Sequence, residues 1–510
     1  MVDPYINDIQ EKDESSRILA DLSSKTLDRK YIRQLTSGKN GLSFAQVPED
    51  MVLVGHMSEG DLRITEPEAY ARSVVHNLAR DSMVLGATPL AMADVIDAQN
   101  TSPEFARKVG TALSESALEA KVAILNGELA KYGPMVNCPC NIAGTMISML
   151  PQDSRFVTSS WVVGRPESPV EVGWYNSNGT QYFFFKPAGK LVSLNSDGTG
   201  TNTLCGSRFN KYIESVINAF AMQYDDQGKL GGGALATFNI VETNTNAPQT
   251  SAEVYSRENI KLGKIFTSME EHGKELAKSM NSYSIMQHSH VGNRLIGPHG
   301  EKFVWNISGT LVSLLTEDMI QNMPRPQVGD TLVVVKGNGR SNGFTDRRNL
   351  LVEWFGEDWE RTEGGRYFGD FVTKPSILFY PMFTDLISQG LATSVFHLSG
   401  GAWDDKVSAP IARQELYAEI GIAEGSPRLF SPDPREAAFA SQFNLRNAHR
   451  KFALGNEGAV TTKQPEKVIP YFQSRGYEAK AAAILENRLD IKGLKIRAFN
   501  GDIVDFSSKK

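Results

Sequence analysis

Asn195-Ser196-Asp197-Gly198-Thr199-Gly200-Thr201 places a carboxylate, three hydroxyls and two glycines in one short stretch. Glycine at alternate positions lets backbone N–H groups approach an anion, an adjacent aspartate can hold Mg²⁺, and threonine hydroxyls can reach phosphate. D-G-T-G is also an ordinary turn sequence, so the stretch reads as either a phosphate cradle or a turn. The Walker pattern G-x-x-x-x-G-K-[ST] is absent, as is a dinucleotide fingerprint in the right context. A second stretch, Lys336-Gly337-Asn338-Gly339-Arg340-Ser341-Asn342-Gly343 followed by Arg347 and Arg348, combines backbone donors, a hydroxyl and guanidinium groups at a strand-to-helix junction. That chemistry suits a phosphorylated ligand, and equally a surface turn with a basic helix.

Asp81, Asp225 and Asp226 fall near the ends of apolar helical patterns. A carboxylate near a helix C-terminus opposes the helix dipole, which a metal or a basic partner would relieve, as would exposure to solvent. Glu128, in Leu125-Asn126-Gly127-Glu128, follows an apolar run at the strand end where α/β proteins present groups to ligands. Ser289, within MQHSHVGN, reads as its counterpart further along. His397, in Phe396-His397-Leu398-Ser399-Gly400-Gly401, is either a packed strand residue or a site residue, and His288 with His290 lacks companions that would complete a metal site. Cys138, Cys140 and Cys205 cannot staple the chain; their odd number fits free thiols in a reducing compartment.

The elements that must position these residues alternate. Helices are expected at 11–24 and 27–36, a glycine loop at 37–41, a strand at 51–54, a helix at 66–85, a strand at 90–95, a helix at 102–120 and strands at 122–125 and 141–149. Strands alternating with helices of this length define an α/β unit. Residues 161–189 read as hairpins, with a turn at Ser177-Asn178-Gly179 and a strand at 182–185. Beyond residue 324 come a strand at 331–335, helices at 345–354 and 375–389, a strand at 393–398, a long helical stretch at 434–452 and a helix at 464–475.

Residues 141–150, NIAGTMISML, recur as NISGTLVSLL at 306–315. Placing VLVGHMSEGDLR (52–63) over KLVSLNSDGTGT (190–201) sets Glu59 on Asp197 and Gly60 on Gly198, and Asp81 with Gly86 answers Asp226 with Gly231. Three matches in the same order indicate a duplicated unit with insertions. The domains expected are a helical segment at 1–50, a first unit at 51–155, a connector at 156–189, a second unit at 190–323 and a single-copy domain at 324–510.

Composition sets the outer bounds. The 510 residues include 53 Lys+Arg and 59 Asp+Glu, a net charge of −6, with 41% apolar positions. That is enough for a large core, on the order of three domains, and it excludes disorder as the dominant state. The mildly acidic balance argues against a nucleic-acid partner. No basic-then-apolar leader opens the chain and no window has the roughly 18–20 apolar residues of a membrane span, so a cytoplasmic protein is expected.

In this order the residues resemble the aminoimidazole ribonucleotide synthetase family, the phosphoribosylformylglycinamidine cyclo-ligases. The family's D-G-[VT]-G-T-K loop is similar to 197–202, with Asn202 in place of lysine. Its N-D-x-x-x-x-G-A motif is similar to residues 80–87 and 225–231, and its G-G-E-T to Asn126-Gly127-Glu128-Leu129. Its D-[VI]-A-G strand is similar to 141–144 and 306–309, with Asn141 and Asn306 for aspartate. S-N-G-[YF] is matched by 341–344 with Arg348, and H-[LI]-[ST]-G-G by 397–401. The resemblance implies an α/β (α+β) fold: two tandem N-terminal half-barrel units forming an intramolecular pseudo-dimer, plus a C-terminal α/β sandwich domain.

It further implies ATP and Mg²⁺, with Asp197, Gly198, Thr199, Gly200, Thr201 and Glu128 at the nucleotide and Asp81, Asp197 and Asp226 at metal. Ser341, Asn342, Gly343, Arg348, His397, Ser399, Gly400 and Gly401 would hold the phosphate of a small phosphoribosyl substrate. The chain would be a monomer or homodimer. The implied reaction closes the imidazole ring of formylglycinamidine ribonucleotide; a small-molecule kinase, an amidine-forming ligase or a non-catalytic scaffold are the alternatives. One composite nucleotide site is expected, using the Asp197 loop of the second copy with Asp81 and Glu128 of the first.

Overall fold

The computed structural model describes residues 4–34, 43–133, 136–154, 161–162, 170–177, 180–244, 257–291, 294–295, 304–337 and 343–509. The described residues divide into two compact units, one made of 4–207 and 233–317, the other of 208–232 and 318–509.

In the first of these, α1 is Pro4–Ser24, α2 Pro67–Val84 and α3 Pro103–Glu119. Prolines at the first turns of α2 and α3 suit positions whose N–H has no helical partner, and Ser102 caps α3 by accepting the Phe105 N–H at 3.2 Å. The strands, in chain order, are β1 Ile32–Gln34, β2 Ser43–Ala45, β3 Met51–Glu59, β4 Thr88–Ala98, β5 Ala123–Lys131, β6 Cys140–Pro151, β7 Trp161–Val162, β8 Val172–Ser177, β9 Thr180–Phe185, β10 Leu191–Gly198, β11 Ala234–Thr243, β12 Tyr283–His290 and β13 Trp305–Leu315.

Among the described residues these strands form two sheets, ordered β5-β4-β6-β3-β9-β8-β7 and β12-β11-β13-β10-β2-β1. The first four strands of each correspond one to one. β4 and β5 are parallel, as are β11 and β12, and the remaining pairs within each set of four are antiparallel. The repeat read in the sequence is therefore a repeated topology, two half-barrels on one chain. In β6, Ala143, Ile147 and Met149 face a core shared with Phe238, Val312 and Leu314 of the other sheet, while Ile142 and Met146 pack under Val74, Leu78, Val109 and Leu113 of α2 and α3. Burial of nearly every residue follows, which is why β6 and β13 read as continuous apolar runs.

One local expectation is corrected. Residues 27–34 are not a helix: β1 lies there, paired with β2, and Tyr31 and Ile32 pack on the shared core, so tertiary burial outweighs local propensity. The expected hairpin forms from β8 and β9, and it joins the first sheet, since β9 pairs with β3 at Leu53↔Phe185. The helical stretch at 434–452 comprises two helices, Pro434–Ala440 and Leu445–Lys451, because Asn444 caps the second by accepting the Asn447 N–H. The expected glycine loop at 37–41 and the turn residues Asn178 and Gly179 lie outside the described residues.

The other unit holds α4 (Tyr212–Gly228), α6 (Phe344–Phe355) and α7 (Tyr380–Ser388), α5 (Arg257–Ser279) belonging to the first. Its strands are β14 Thr331–Lys336, β15 Ser394–His397, β16 Tyr417–Ile420, β17 Asn456–Thr462, β18 Ala479–Ile484, β19 Ile491–Arg497, β20 Ile503–Asp505 and β21 Ser508–Lys509. They form a sheet ordered β15-β17-β14-β18 and a smaller one around β16-β19-β20. Leu332, Phe396 and Ala459 share a core with Leu494 and Ile496, so the two sheets pack face to face. The helix α4, which by sequence answers α2, packs in this unit through Gly228 against Phe383 and Tyr224 against Tyr380 of α7.

Candidate active site

The Asp197 loop begins inside β10. Asp197 lies opposite Gly309 of β13, is half-buried, and accepts its neighbour's N–H, Gly198 to Oδ1 at 2.8 Å. The chain then turns: the Thr199 N–H donates to Ile307 O at 3.1 Å and Gly200 adopts φ +58° with open space where a side chain would stand. Thr199 and Thr201 are buried. The strand is tied to the first copy where the Ser196 N–H donates to Asn126 Oδ1 at 3.0 Å. Asn126 opens the N-G-E-L segment of β5, and half-buried Glu128 follows two residues on, opposite Val95. Gly198 has Val95 against it as well, at 3.3 Å from where a Cβ would be. The structure thus brings the loop against the strand that carries Glu128.

Asp81 has different neighbours. Its carboxylate pairs with Arg80 at 3.0 Å, its carbonyl accepts the Tyr182 hydroxyl at 3.1 Å, and it faces His56, whose buried ring is pushed down to about 4 by burial.

Between the sheets, near the same strand ends, lies a buried polar cluster that sequence reading passed over. Asn141 Nδ2 donates to Glu242 Oε1 at 2.5 Å, and Asn306 Nδ2 donates to Asp97 Oδ2 at 2.7 Å and to Glu242 Oε2 at 2.9 Å. Tyr70 donates to Asn141 Oδ1 at 3.1 Å and Tyr132 to Asn306 Oδ1 at 2.5 Å. Ser289 donates to Glu59 Oε2 at 2.7 Å. Arg294 lies over the Tyr70 ring at 3.9 Å and donates to the carbonyls of Leu62, Ile64 and Cys140. Nearby, Asp94 packs against Gly127, and burial pushes its carboxyl up to about 7. Polar residues at 94 and 97 inside the apolar strand ADVIDA were the available signal.

The strand registers correct two pairings made from sequence. With Gly144 matched to Gly309, the partners are Ser58 and Asp197, so Ser58 and not Glu59 is the counterpart of Asp197, and Glu59 matches Gly198. Ungapped matching slipped by one residue, which in a strand exchanges the two faces. Likewise Val95↔Glu128 and Ile240↔Gln287 make Gln287, not Ser289, the counterpart of Glu128.

The remaining predicted residues lie in the other unit. Asp226 of α4 pairs with Lys229 and, at 2.9 Å, with Lys406. Ser341 and Asn342 lie outside the described residues. Gly343 precedes α6 at φ +71°, where a Cβ would meet Phe452 at 2.6 Å. Arg348 is buried and donates to Asn349 at 2.9 Å; its neighbour Arg347 is fully buried against Glu436. His397 is fully buried in β15, 3.8 Å from Asp225, and burial pushes its pKa to about 3. Ser399, Gly400 and Gly401 form the turn after it, with open space at Gly400 and φ +82° at Gly401.

Residues 47–150 match the family model described as AIR synthase related protein, N-terminal domain. The chain is 23% identical over 231 residues to the phosphoribosylformylglycinamidine cyclo-ligase of Streptococcus pyogenes serotype M49, covering 45% of this chain and 62% of that one. It is 25% identical over 166 residues to the Methanobrevibacter smithii protein of the same name, covering 31% and 48%. The chain thus spans less than two thirds of the length of these curated relatives. Among solved structures, T. maritima PurL complexed with FGAR is similar at 10% identity and a TM-score of 0.37, covering 62% of this chain and 45% of that one. A HypE–HypF complex chain is similar at 12% and 0.39, covering 62% and 90%. Residues 47–150 are thus similar to the N-terminal domain of AIR synthase related proteins. The chain is distantly similar to phosphoribosylformylglycinamidine cyclo-ligases, and its own four-strand topology occurs twice.

Proposed function

We propose that the chain is an ATP- and Mg²⁺-dependent enzyme acting on a small phosphoribosyl amide, closing the imidazole ring of formylglycinamidine ribonucleotide. The observation that carries this reading is the hydrogen bond from the Ser196 N–H to Asn126 Oδ1, which joins the glycine loop of the second copy to the N-G-E-L segment of the first. Each copy retains the motif that the other lacks, and the bond sets the two side by side.

The loop fits a triphosphate: open space at Gly200 admits an anion close to the backbone, and half-buried Asp197 offers a carboxylate for the accompanying cation. ATP would activate the formyl amide oxygen of the substrate by phosphorylation. The chain's own residues orient the groups: Asn126 fixes the loop, Thr199 is locked to Ile307, and Glu128 stands at the loop's edge. In the other unit, Gly343, Arg348 and the Ser399-Gly400-Gly401 turn are the groups proposed for the substrate's phosphate, with Ser341 and Asn342 by sequence. The domain division at 51–155, 190–323 and 324–510 belongs to the same proposal.

Asn202 supports a second reading. Where the family loop has lysine, this amide is buried and its Oδ1 lacks a hydrogen-bond donor, which favours a non-catalytic paralogue or a different superfamily reaction. Incubating the pure protein with ATP, Mg²⁺ and formylglycinamidine ribonucleotide, and following ADP and imidazole product, separates them. Product supports ring closure; nucleotide binding without product points to another reaction, and no nucleotide binding to the paralogue.

A further inference from the structure

The two half-barrels carry two matching loops, one past β10 with Asp197 and one past β3, where Ser58 is the counterpart of Asp197. Each is tied to the opposite copy, the first through Ser196 and Asn126, the second through Glu59 and Ser289. The proposed function uses only the loop past β10. The loop past β3 is built for the opposite charge.

Its backbone donors are spent inside the protein. The Asp61 N–H donates to Ser73 Oγ at 2.9 Å, the Arg63 N–H to Asp61 Oδ1 at 3.0 Å and the Ile64 N–H to the Asp61 carbonyl at 2.9 Å. Nor does Gly60 leave room for an anion: a Cβ there would meet the Tyr70 ring at 2.4 Å and Ser73 Oγ at 2.7 Å, whereas Gly200 of the other loop faces open space.

What the loop past β3 offers is acceptors. The carbonyls of Leu62 and Ile64 take the Nε and Nη2 protons of Arg294, which follows β12 in the other copy, the first at 3.3 Å. Nη1 donates to Cys140 O at 3.1 Å and to Cys138 Sγ at 3.2 Å, at the entry to β6. The Tyr70 ring covers a face of the guanidinium, whose central carbon is 3.9 Å from the ring centroid. Arg294 itself is buried. Four of the five N–H groups of its fork thus have acceptors and one face has an aromatic cover, an arrangement that fits a planar, delocalised cation.

We propose that the loop past β3 is a guanidinium receptor, filled by Arg294 across the copy boundary, so that of the two matching loops only the one with Asp197 is left to take a nucleotide. The second clause rests on the proposed function; the first does not. A duplicated frame thereby becomes unequal, one of its two loops closed by the chain's own arginine.

Thiol labelling reads the receptor and nucleotide titration reads the inequality, both on the full chain. Cys138 lies against Arg294 and is buried. In wild type it is expected to react with a thiol reagent far more slowly than in the denatured chain, with peptide mapping separating it from Cys140 and Cys205. Arg294→Ala is expected to speed that labelling by about tenfold or more, because lost buried hydrogen bonds make local opening easier. Ethylguanidinium is expected to restore the wild-type rate, and ethylammonium, which lacks the planar fork, is not. Labelling of wild type at the denatured rate would overturn the proposal whether or not the variant folds. So would a folded Arg294→Ala that labels like wild type, or one that ethylguanidinium protects no better than ethylammonium does. Titration of wild type with ATP and Mg²⁺ is expected to saturate at one nucleotide per chain. Two per chain would overturn the proposal as well; none would overturn the proposed function alone, with the labelling still deciding the receptor.

Discussion

The Asn306 carboxamide donates simultaneously to Asp97 Oδ2 at 2.7 Å and Glu242 Oε2 at 2.9 Å, one acidic residue from each half-barrel. Its oxygen is held by the Tyr132 hydroxyl. Asn306→Ala leaves three buried groups short of a partner, and each buried polar group so stranded costs about 1–3 kcal/mol. Chemical denaturation of the variant is expected to show a loss of several kcal/mol; a loss below about 1 kcal/mol would mean the bonds are not made.

Asp94 gives the fold a pH dependence of definite sign. Its folded carboxyl is raised to about 7 by burial, so between about pH 4 and 7 the folded state holds a proton that the unfolded chain releases. Stability from this group is therefore present at the acid end and lost as pH rises through 7. Asp94→Asn is expected to flatten the slope of unfolding free energy over that window, by on the order of a few kcal/mol in total. A slope identical to wild type would show that Asp94 titrates normally.

Gly144 and Gly309 hold the same place in the two copies but face different neighbours. A Cβ at Gly309 would meet Asn239 Oδ1 at 2.2 Å and the Phe238 carbonyl at 2.5 Å; one at Gly144 would meet the tip of Leu78 at 2.6 Å. Backbone cannot yield as a leucine tip can. Gly309→Ala is expected to cost about 1–3 kcal/mol or more, and Gly144→Ala less, with the order checked by thermal melts of both.

Asn126→Ala removes the acceptor of the Ser196 N–H and so loosens the glycine loop without touching a nucleotide. On the proposed function, nucleotide affinity falls by about tenfold, equivalent to about 1.4 kcal/mol, while Asp197→Ala falls further. Calorimetric titration with ATP and Mg²⁺ measures both. Equal affinity in Asn126→Ala and wild type would remove the loop from the site.

Much of the architecture was legible because apolar runs and helical spacing are direct records of burial: α2 and α3 fall within a residue or two of their expected limits. The repeat was legible because β6 and β13 kept the same residues. Two kinds of information were hidden. Register was one, since strands of Val, Leu, Ser and Gly align almost equally well one residue apart, and only the hydrogen-bonded partner decides between Ser58 and Glu59. Long-range polar pairing was the other: Glu242 and Asn141 are 101 residues apart, and neither lies in a motif that announces the other. His397 allowed two readings by pattern, a packed strand residue or a site residue, and its strand is buried along its whole length.

The paired half-barrels share one backbone, and that changes the law governing their association. Two separate chains meeting through the same faces would come apart on dilution, their melting temperature rising with protein concentration. Here the encounter is first order, set by the tether from β6 to β10 and by the local concentration it imposes. The joint is therefore indifferent to how much protein is present, and each half is free to lose what the other supplies.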